Sequence, residues 1–464
     1  MIHINYEITP EHLFPAIQRL FTLSGGKIHR LQKRWDSAKG TPVFTIKGEY
    51  TSRGWTEWTQ GFQFGAAIYQ FEVTRDEAFL DLGRRSTIDF MASHVTHIGV
   101  HDHGFNNVST YGNLLRLMAL GMITYNPWEK NFYELALKST GAVQAARWTA
   151  LSPNSGYIYS FNGPHSLFAD TIRSLRALAV SHLLGHKLMG EMDRAHSLLE
   201  RLLQHADTTA KYAVYFGEGR DFYDVRGRTA HESIFNVNDG AYRCPNSQQG
   251  YSPFTTWTRG LAWILCGYPE QIEFLDSLPE AELEPFGGKA AVIAKFLRVA
   301  EAVADFYLEH TPTDGVPYWD TGAPGLAKMG DYLDRPAEPF NEHEPVDSSA
   351  AAIAAQGLLR LGSYHLRQGI TDQGERYYQA GLTVAQTLFQ EPYLSTDPEH
   401  EGLLLHSVYH RPNGWDYIPL DHKVPCGEAS MWGDYHAREL AVMLNRAATN
   451  QPELRFFDIK FEGR

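Results

Sequence analysis

Apolar residues recur at helical spacing along almost the whole chain, and the alternation expected of strands is rare. The pattern predicts helices over 10–22, 58–73, 75–93, 106–121, 128–149, 167–186, 189–206, 255–268, 289–311, 346–369, 371–390 and 430–446. They fall into two kinds. Segments such as GAAIYQF, YGNLLRLMALG, LRALAVSHLLG, RGLAWILCG and DSSAAAIAAQGLLRLG are apolar nearly all round and rich in small residues. Others, such as TRDEAFLDLGRRSTIDFM and DRAHSLLERLLQHA, carry charge along one face. A helix apolar on every side is buried on every side, whereas an amphipathic one faces water. The two kinds largely alternate, which predicts an all-α fold: an (α/α)6 barrel of about six inner and six outer helices, one domain over 1–464. An α-solenoid, the main alternative, requires a sequence period that these segments lack. The Gly/Pro-rich stretch 312–345 reads as a functional loop rather than a hinge.

Composition narrows the function classes. With 43% hydrophobic and 13% aromatic residues, the 464-residue chain can build a large core. A net charge of −13 argues against general nucleic-acid binding, and an anionic ligand must be held by a local cluster rather than by the global field. Cys244, Cys266 and Cys426 are scattered and odd in number, so they form no disulfide framework and read as reduced thiols. The N-terminus shows no signal-peptide pattern, and no segment is apolar for long enough to span a bilayer. No membrane partner is therefore expected. The expected compartment is cytoplasmic, or periplasmic if the chain is a processed form.

The candidate chemistry gathers at helix starts. Asp102, in GVHDHGFNN, precedes one helical run and Asp170, in SLFADTIRSL, precedes another. An aspartate at such a place is often only an N-cap. Asp170, however, introduces an all-round apolar helix, so its carboxylate belongs inside and must be bonded, paired or protonated. If the two share a pocket, repulsion and desolvation raise the pKa of one of them, giving a general acid near neutral pH. A third cluster is SQQGYSPFTTWTRGLAW, with Gln249, Trp257, Arg259 and Trp263. Arg259 and Trp263 are four apart and share a helix face. A guanidinium fork suits a carboxylate or sulfate, and indole faces suit sugar rings. The structural alternative is that the tryptophans are core and Arg259 pairs with a buried carboxylate. His231 has no partner at metal-ligand spacing, and Trp55 and Trp58 either pack in the core or floor a sugar subsite. No Walker loop, dinucleotide fingerprint, G-x-S-x-G elbow or zinc spacing occurs, so neither a cofactor nor a metal is expected.

QQGYSPFTTWTRGLAW resembles the signature of unsaturated glucuronyl hydrolases, glycoside hydrolase family 88, and of the related unsaturated rhamnogalacturonyl hydrolases. WTQGF at 58–62, HDHGF at 101–105, VDSSAAAIAAQGLL at 346–359 and SMWGDYH at 430–436 agree in the same order, so the resemblance spans roughly 55–446. It implies an (α/α)6 catalytic barrel, with Asp170 as general acid/base and Asp102 as its companion. It also implies pocket roles for His231, Gln249, Arg259 and Trp263, and a place near the sugar for Trp58. The implied substrate is an oligosaccharide, foremost a disaccharide, bearing the 4,5-unsaturated uronic acid that polysaccharide lyases leave at a non-reducing end.

On this resemblance Asp170 is expected to protonate C4 of the enol ether, with its pKa held up by burial and by Asp102. Arg259 is expected to hold an acidic group, and Lys423 is a candidate contact for the aglycone. The chain departs from the family after Asp170, where Thr171-Ile172-Arg173-Ser174 replaces a D-x-M-x-N pattern. It departs again at Leu261 and in an extra stretch, FGEGRDFYDVRGR, at 216–228. Rival readings are an ordinary inverting glycosidase, a polysaccharide lyase and a non-catalytic sugar-binding protein.

Overall fold

The structure, a computed structural model, describes residues 1–54 and 57–459; the candidate Trp55 lies outside them. Twelve helices build the body, and they alternate between an outer and an inner layer. The outer helices are α1 (Pro10–Arg34), α3 (Glu77–Phe90), α5 (Pro127–Ala146), α7 (Leu198–Ala213), α9 (Lys289–Glu309) and α11 (Thr371–Leu388). The inner helices are α2 (Gln60–Thr74), α4 (Gly104–Gly112 continuing as Asn113–Ala119), α6 (Thr171–Ser174 and Arg176–Leu183), α8 (Thr258–Ser277), α10 (Ser348–Arg367) and α12 (Met431–Ala448). Each inner helix packs on the next, α12 returns to α2, and the ring closes. The (α/α)6 architecture expected from the alternation is the one found.

Small residues on the inner helices permit this closeness. A Cβ at Gly104 would lie 2.1 Å from the carbonyl oxygen of Ser174, and one at Gly357 would lie 2.2 Å from that of Leu265. No side chain fits between α4 and α6, or between α8 and α10, at those points.

All inner helices start at the same end of the barrel. The connections that reach them (35–59, 91–103, 147–170, 214–257, 310–347 and 389–430) are long, while those at the opposite end are mostly short. The long connections carry two hairpins, β1 (Pro42–Ile46) with β2 (Glu49–Ser52) and β3 (Trp148–Ser152) with β4 (Ser155–Ile158). They also carry an antiparallel three-stranded sheet in the order β5 (Ser166–Phe168), β8 (Glu232–Phe235), β9 (Tyr242–Asn246). Strands β6 (Leu188–Met189) and β7 (Ala195–His196) form a small hairpin at the other end.

Several predicted boundaries move for identifiable reasons. The helix predicted over 189–206 starts only at Leu198, where Ser197 caps it, because Met192 and Asp193 adopt positive φ and turn the β6–β7 hairpin. The helix predicted over 255–268 continues through Pro269 to Ser277, buried against α9 and α10. The one predicted over 167–186 gives up its first residues to β5. The 216–228 stretch folds back on itself, with Tyr215 and Arg228 bonded through their backbones and Arg226 paired to Asp305 of α9 at 2.6 Å. It braces the outer layer.

Deeper along the axis the barrel is filled by ions. Arg173 and Arg176 of α6, Glu270 of α8, Arg360 of α10 and Glu439 of α12 are all buried. Arg173 pairs with Glu270, and with Glu439 at 3.0 Å. Arg360 pairs with Glu273 at 2.5 Å, and Tyr69 donates to Glu439 at 2.9 Å. Arg173, the residue that departs from the family pattern after Asp170, thus points into this network. The C-terminal segment closes the far end: Phe456 lies 5.2 Å from the Arg176 guanidinium, and Arg360 donates to the Leu454 carbonyl at 3.2 Å.

Candidate active site

The inner-helix starts surround a cavity of about 460 Å³, within the range of small-ligand sites. Its walls include Trp58, Asp102, Asp170, Gln249, Trp257, Arg259 and Trp263. The structure therefore brings together seven of the eight residues expected to act on the sugar as catalytic or pocket residues. The eighth, His231, packs behind that wall, its ring 4.6 Å from both Phe168 and Trp257.

Strand pairing explains how distant segments meet. Phe168 of β5 is opposite Glu232 of β8, and Ala169 donates to the His231 carbonyl at 2.9 Å, so Asp170 and His231 leave the sheet side by side. Strand β9 then delivers Gln248 and Gln249, whose backbone N–H groups donate to His231 Nδ1 at 3.0 and 3.3 Å. Those two bonds leave the ring proton on Nε2, which is buried and has no protein partner. Burial pushes the His231 pKa down to about 3, so the ring is neutral.

Asp170 occupies the cap position of its short helix, yet its side chain caps nothing. Oδ2 instead lies 3.3 Å from His101 Nε2, and Oδ1 has no partner. His101 Nε2 is also 3.7 Å from Asp102 Oδ1. One imidazole thus bridges the two carboxyls. The backbone of His101 is pinned where its carbonyl accepts from Ser174 Oγ and Gln144 Nε2, each at 2.7 Å. The neighbouring His103 turns away and bonds Thr140 at 2.7 Å and the His97 carbonyl at 2.9 Å. Asp102 precedes the π-helical turns Gly104–Gly112, a distortion common beside functional sites.

The electrostatics correct one expectation. Burial pushes Asp170 up, but the His101 charge, the His101 hydrogen bond and His231 outweigh it, and its carboxyl sits below the ordinary value. Burial dominates for Asp102, the Asp170 charge adds to it, and the carboxyl is raised. His101 is drawn down by burial but held up more strongly by Asp102 and Asp170, and ends above its usual value. The raised carboxyl is Asp102, not Asp170. One nitrogen or oxygen atom from each of the three groups lies within 4.8 Å of the others, close enough for their titrations to be coupled.

Arg259 also differs from its expected use. Its Nη1 lies 2.8 Å from Asp347 Oδ2 and donates to the Val408 carbonyl, while Nη2 donates to Gln249 Oε1 at 2.9 Å and to the Tyr409 carbonyl at 2.8 Å. Its guanidinium sits between Trp257 and Trp432, at 4.7 and 4.9 Å. All four terminal N–H groups are engaged by protein, so the buried-carboxylate alternative describes this arginine better than a free fork does. Trp263 is 2% exposed and packs on Phe105 and His436, while Trp58 stacks on Trp432 at 5.1 Å and edges the cavity. Lys423 pairs with Glu342 at 2.6 Å on the surface and does not line the cavity.

Sequence reasoning missed His101, Phe161, Phe168, Tyr409, His410, Asn413 and Trp415, all of which line the cavity. The signal for His101 was its adjacency to Asp102. The 409–415 wall comes from a loop without periodicity, where Asp416 accepts from the backbone N–H groups of Tyr409, at 2.5 Å, and His410, at 3.0 Å.

No family model matches the chain. It is similar to the unsaturated glucuronyl hydrolase of Formosa agariphila, with 23% identity over 402 residues, 82% of this chain and 78% of that protein. It is likewise similar to the unsaturated glucuronyl hydrolase of Bacillus sp. (strain GL1), with 25% identity over 404 residues, 85% of this chain and 88% of that protein. The crystal structure of an unsaturated glucuronyl hydrolase from Bacillus sp. GL1 superposes with a TM-score of 0.70 at 21% identity, covering 97% of this chain and 100% of the other.

Proposed function

We infer that this chain, a member of the unsaturated glucuronyl hydrolase family (glycoside hydrolase family 88), removes a 4,5-unsaturated uronic acid from the non-reducing end of lyase-generated oligosaccharides. The observation that carries this reading is the pair Asp102 and Asp170 held on one imidazole, inside an aromatic-walled cavity closed at its inner end.

The double bond of such a sugar is an enol ether, so protonation at C4 is the accessible first step. Positive charge then develops at C5 and is shared with the ring oxygen. Water adds at C5, and the resulting hemiketal opens and expels the aglycone without attack at the anomeric carbon. The usual inference from carboxylate separation to stereochemical outcome therefore does not apply.

The reading gives Asp170 the proton transfer. Asp170 sits low, while His101 and Asp102 are both held above their ordinary values. An anionic sugar entering the cavity raises the proton affinity of both carboxyls. Asp170, with Oδ2 on His101 and the buried Oδ1 without a protein partner, then holds a proton that it can hand to C4, and it recovers one from the attacking water. His231 Nε2–H supplies a neutral donor beside Asp170, Trp58, Trp257 and Trp263 offer ring faces, and Arg259 fixes Gln249.

The test is an absorbance assay on unsaturated disaccharides. Consumption of the conjugated double bond lowers the absorbance; a rise would reveal a lyase. Turnover of a saturated aryl glycoside in place of the unsaturated uronide would reveal an ordinary glycosidase.

A further inference from the structure

The Gly/Pro-rich connection 312–345 lies against the segment that carries Gln249. Residues 247–256 form neither helix nor strand, so their backbone N–H groups must find partners elsewhere. Gln248 and Gln249 donate to His231 Nδ1, Gly250 donates to Ser247 Oγ at 3.0 Å, and Tyr251 donates to Asp320 Oδ2 at 2.8 Å. Four successive amides are thus held by three side chains, and Asp320 is the one acid among them. The connection runs beside the segment: Trp257 and Asp320 pair as an antiparallel bridge, and Thr321 donates to the Thr256 carbonyl at 2.9 Å. The fit is close. A Cβ at Gly250 would lie 2.9 Å from Asp320 Oδ2 and 2.6 Å from Ser247 Oγ.

Asp320 is fully buried, and its other oxygen, Oδ1, accepts from Gly322 at 2.9 Å. Both oxygens therefore carry an amide N–H, and a proton on either one would face a donor. Burial pushes this carboxyl up to about 6 against the pull of the Gly322 and Tyr251 amides and the Thr255 hydroxyl. Among the described residues the charged group facing it is Glu344, which adds to the rise.

We propose that Asp320 is a positioning residue for the sugar site: its carboxylate sets the Gln248–Tyr251 turn, and through it the place of Gln249, without touching the substrate. This role rests on the proposed function and adds to it a residue that does not line the cavity. Ionised, the carboxylate anchors the turn. Protonated, it gives up one amide and the turn loosens, so affinity for the sugar is expected to fall as pH drops through about 6. The fold responds the other way. A carboxyl whose folded value is raised from 3.8 to about 6 costs stability as pH rises across that window, and the cost is complete at neutral pH. Opposite signs for binding and stability separate a positioning role from a structural one.

Asp320→Asn mimics the protonated acid at every pH. With an unsaturated disaccharide at pH 7 it is expected to raise KM about tenfold, to change kcat by less than about threefold, and to leave the melting temperature unchanged or higher. Wild-type KM is expected to climb between pH 7 and pH 5, and that of the variant to change less. A variant KM within about twofold of wild type overturns the proposal. So does a joint loss of kcat and melting temperature, the mark of a residue that only supports the fold. Gly250→Ala, which wedges the turn away from Asp320 with the carboxylate intact, is expected to raise KM likewise; an unchanged KM there overturns the link through the turn. If the wild-type protein turns over no unsaturated uronide, the proposed function falls and this role with it.

Discussion

Arg259 Nη1 lies 2.8 Å from Asp347 Oδ2, joining the first turn of α8 to the residue that caps α10. Asp347 Oδ1 meanwhile accepts from the Ser349 backbone at 3.1 Å, so one carboxylate serves a cap and an ion pair. Both members are buried. Removing one partner of such a pair leaves an uncompensated charge and costs about 3–5 kcal/mol. Arg259→Ala is therefore expected to lower unfolding stability by that order in urea titrations, with a matching loss of activity. Arg259→Lys should rescue it only in part, since an ammonium lacks the planar fork that reaches Gln249 and two carbonyls. A defect confined to KM, with stability intact, would instead place Arg259 in direct contact with the substrate.

Asp170→Asn keeps the size of the side chain and removes its acidity. It is expected to fold normally and to lose about 10²–10⁴-fold in kcat, the usual contribution of a positioned acid. The check is the absorbance assay beside a thermal melt. Near-wild-type turnover would take Asp170 out of the reaction.

His101 predicts a pH effect with a definite sign. Its pKa is lowered by burial but raised more by Asp102 and Asp170, ending above the ordinary value of about 6.5. The stability it contributes is thus fully present below about 6.5 and is lost as pH rises through its elevated folded value. Arg147, Asp102 and Asp170 are the charged groups facing it, together with the neutral rings of His205 and His231. His101→Asn is expected to flatten that decline and to move the basic limb of kcat/KM to lower pH. An unaltered profile would show that the imidazole only fills space.

Legibility in the sequence followed burial. Helices α2 and α10 announce themselves because residues apolar nearly all round leave little alternative to the inner layer. Asp102 and Asp170 were visible because a carboxylate at the head of such a helix must be explained. His101 and Trp415 were not, because their position depends on how irregular loops fold over the barrel mouth. The real partner of Arg259 was equally hidden, since Asp347 is 88 residues away in sequence. Nor could pattern alone tell which aspartate would be raised, because that turns on a few tenths of an ångström around one imidazole.

Buried neutral histidines make the fold sensitive to acid. Burial lowers His103, His205, His231 and His436 to about 3, and His94, His406 and His410 to about 4. Below about pH 6.5 the unfolded chain binds protons at these positions and the folded one does not, so stability falls as pH falls. Each contributes up to ~1.4 kcal/mol per pH unit, and Asp320, pushed up to about 6 by burial, works in the opposite direction. Urea midpoints at pH 7, 6 and 5 are expected to drop progressively. A midpoint that holds steady down to pH 5 would contradict this reading.

The ionic network of Arg173, Arg176, Glu270, Arg360 and Glu439, with Phe456 beneath it, makes the barrel a cul-de-sac. A polymer cannot thread through, so only a terminus can be offered, and the freed sugar must back out along the route by which it came. Each visit then removes one residue and ends, because the new terminus carries no enol-ether double bond and is not a substrate until a lyase has cut the chain again.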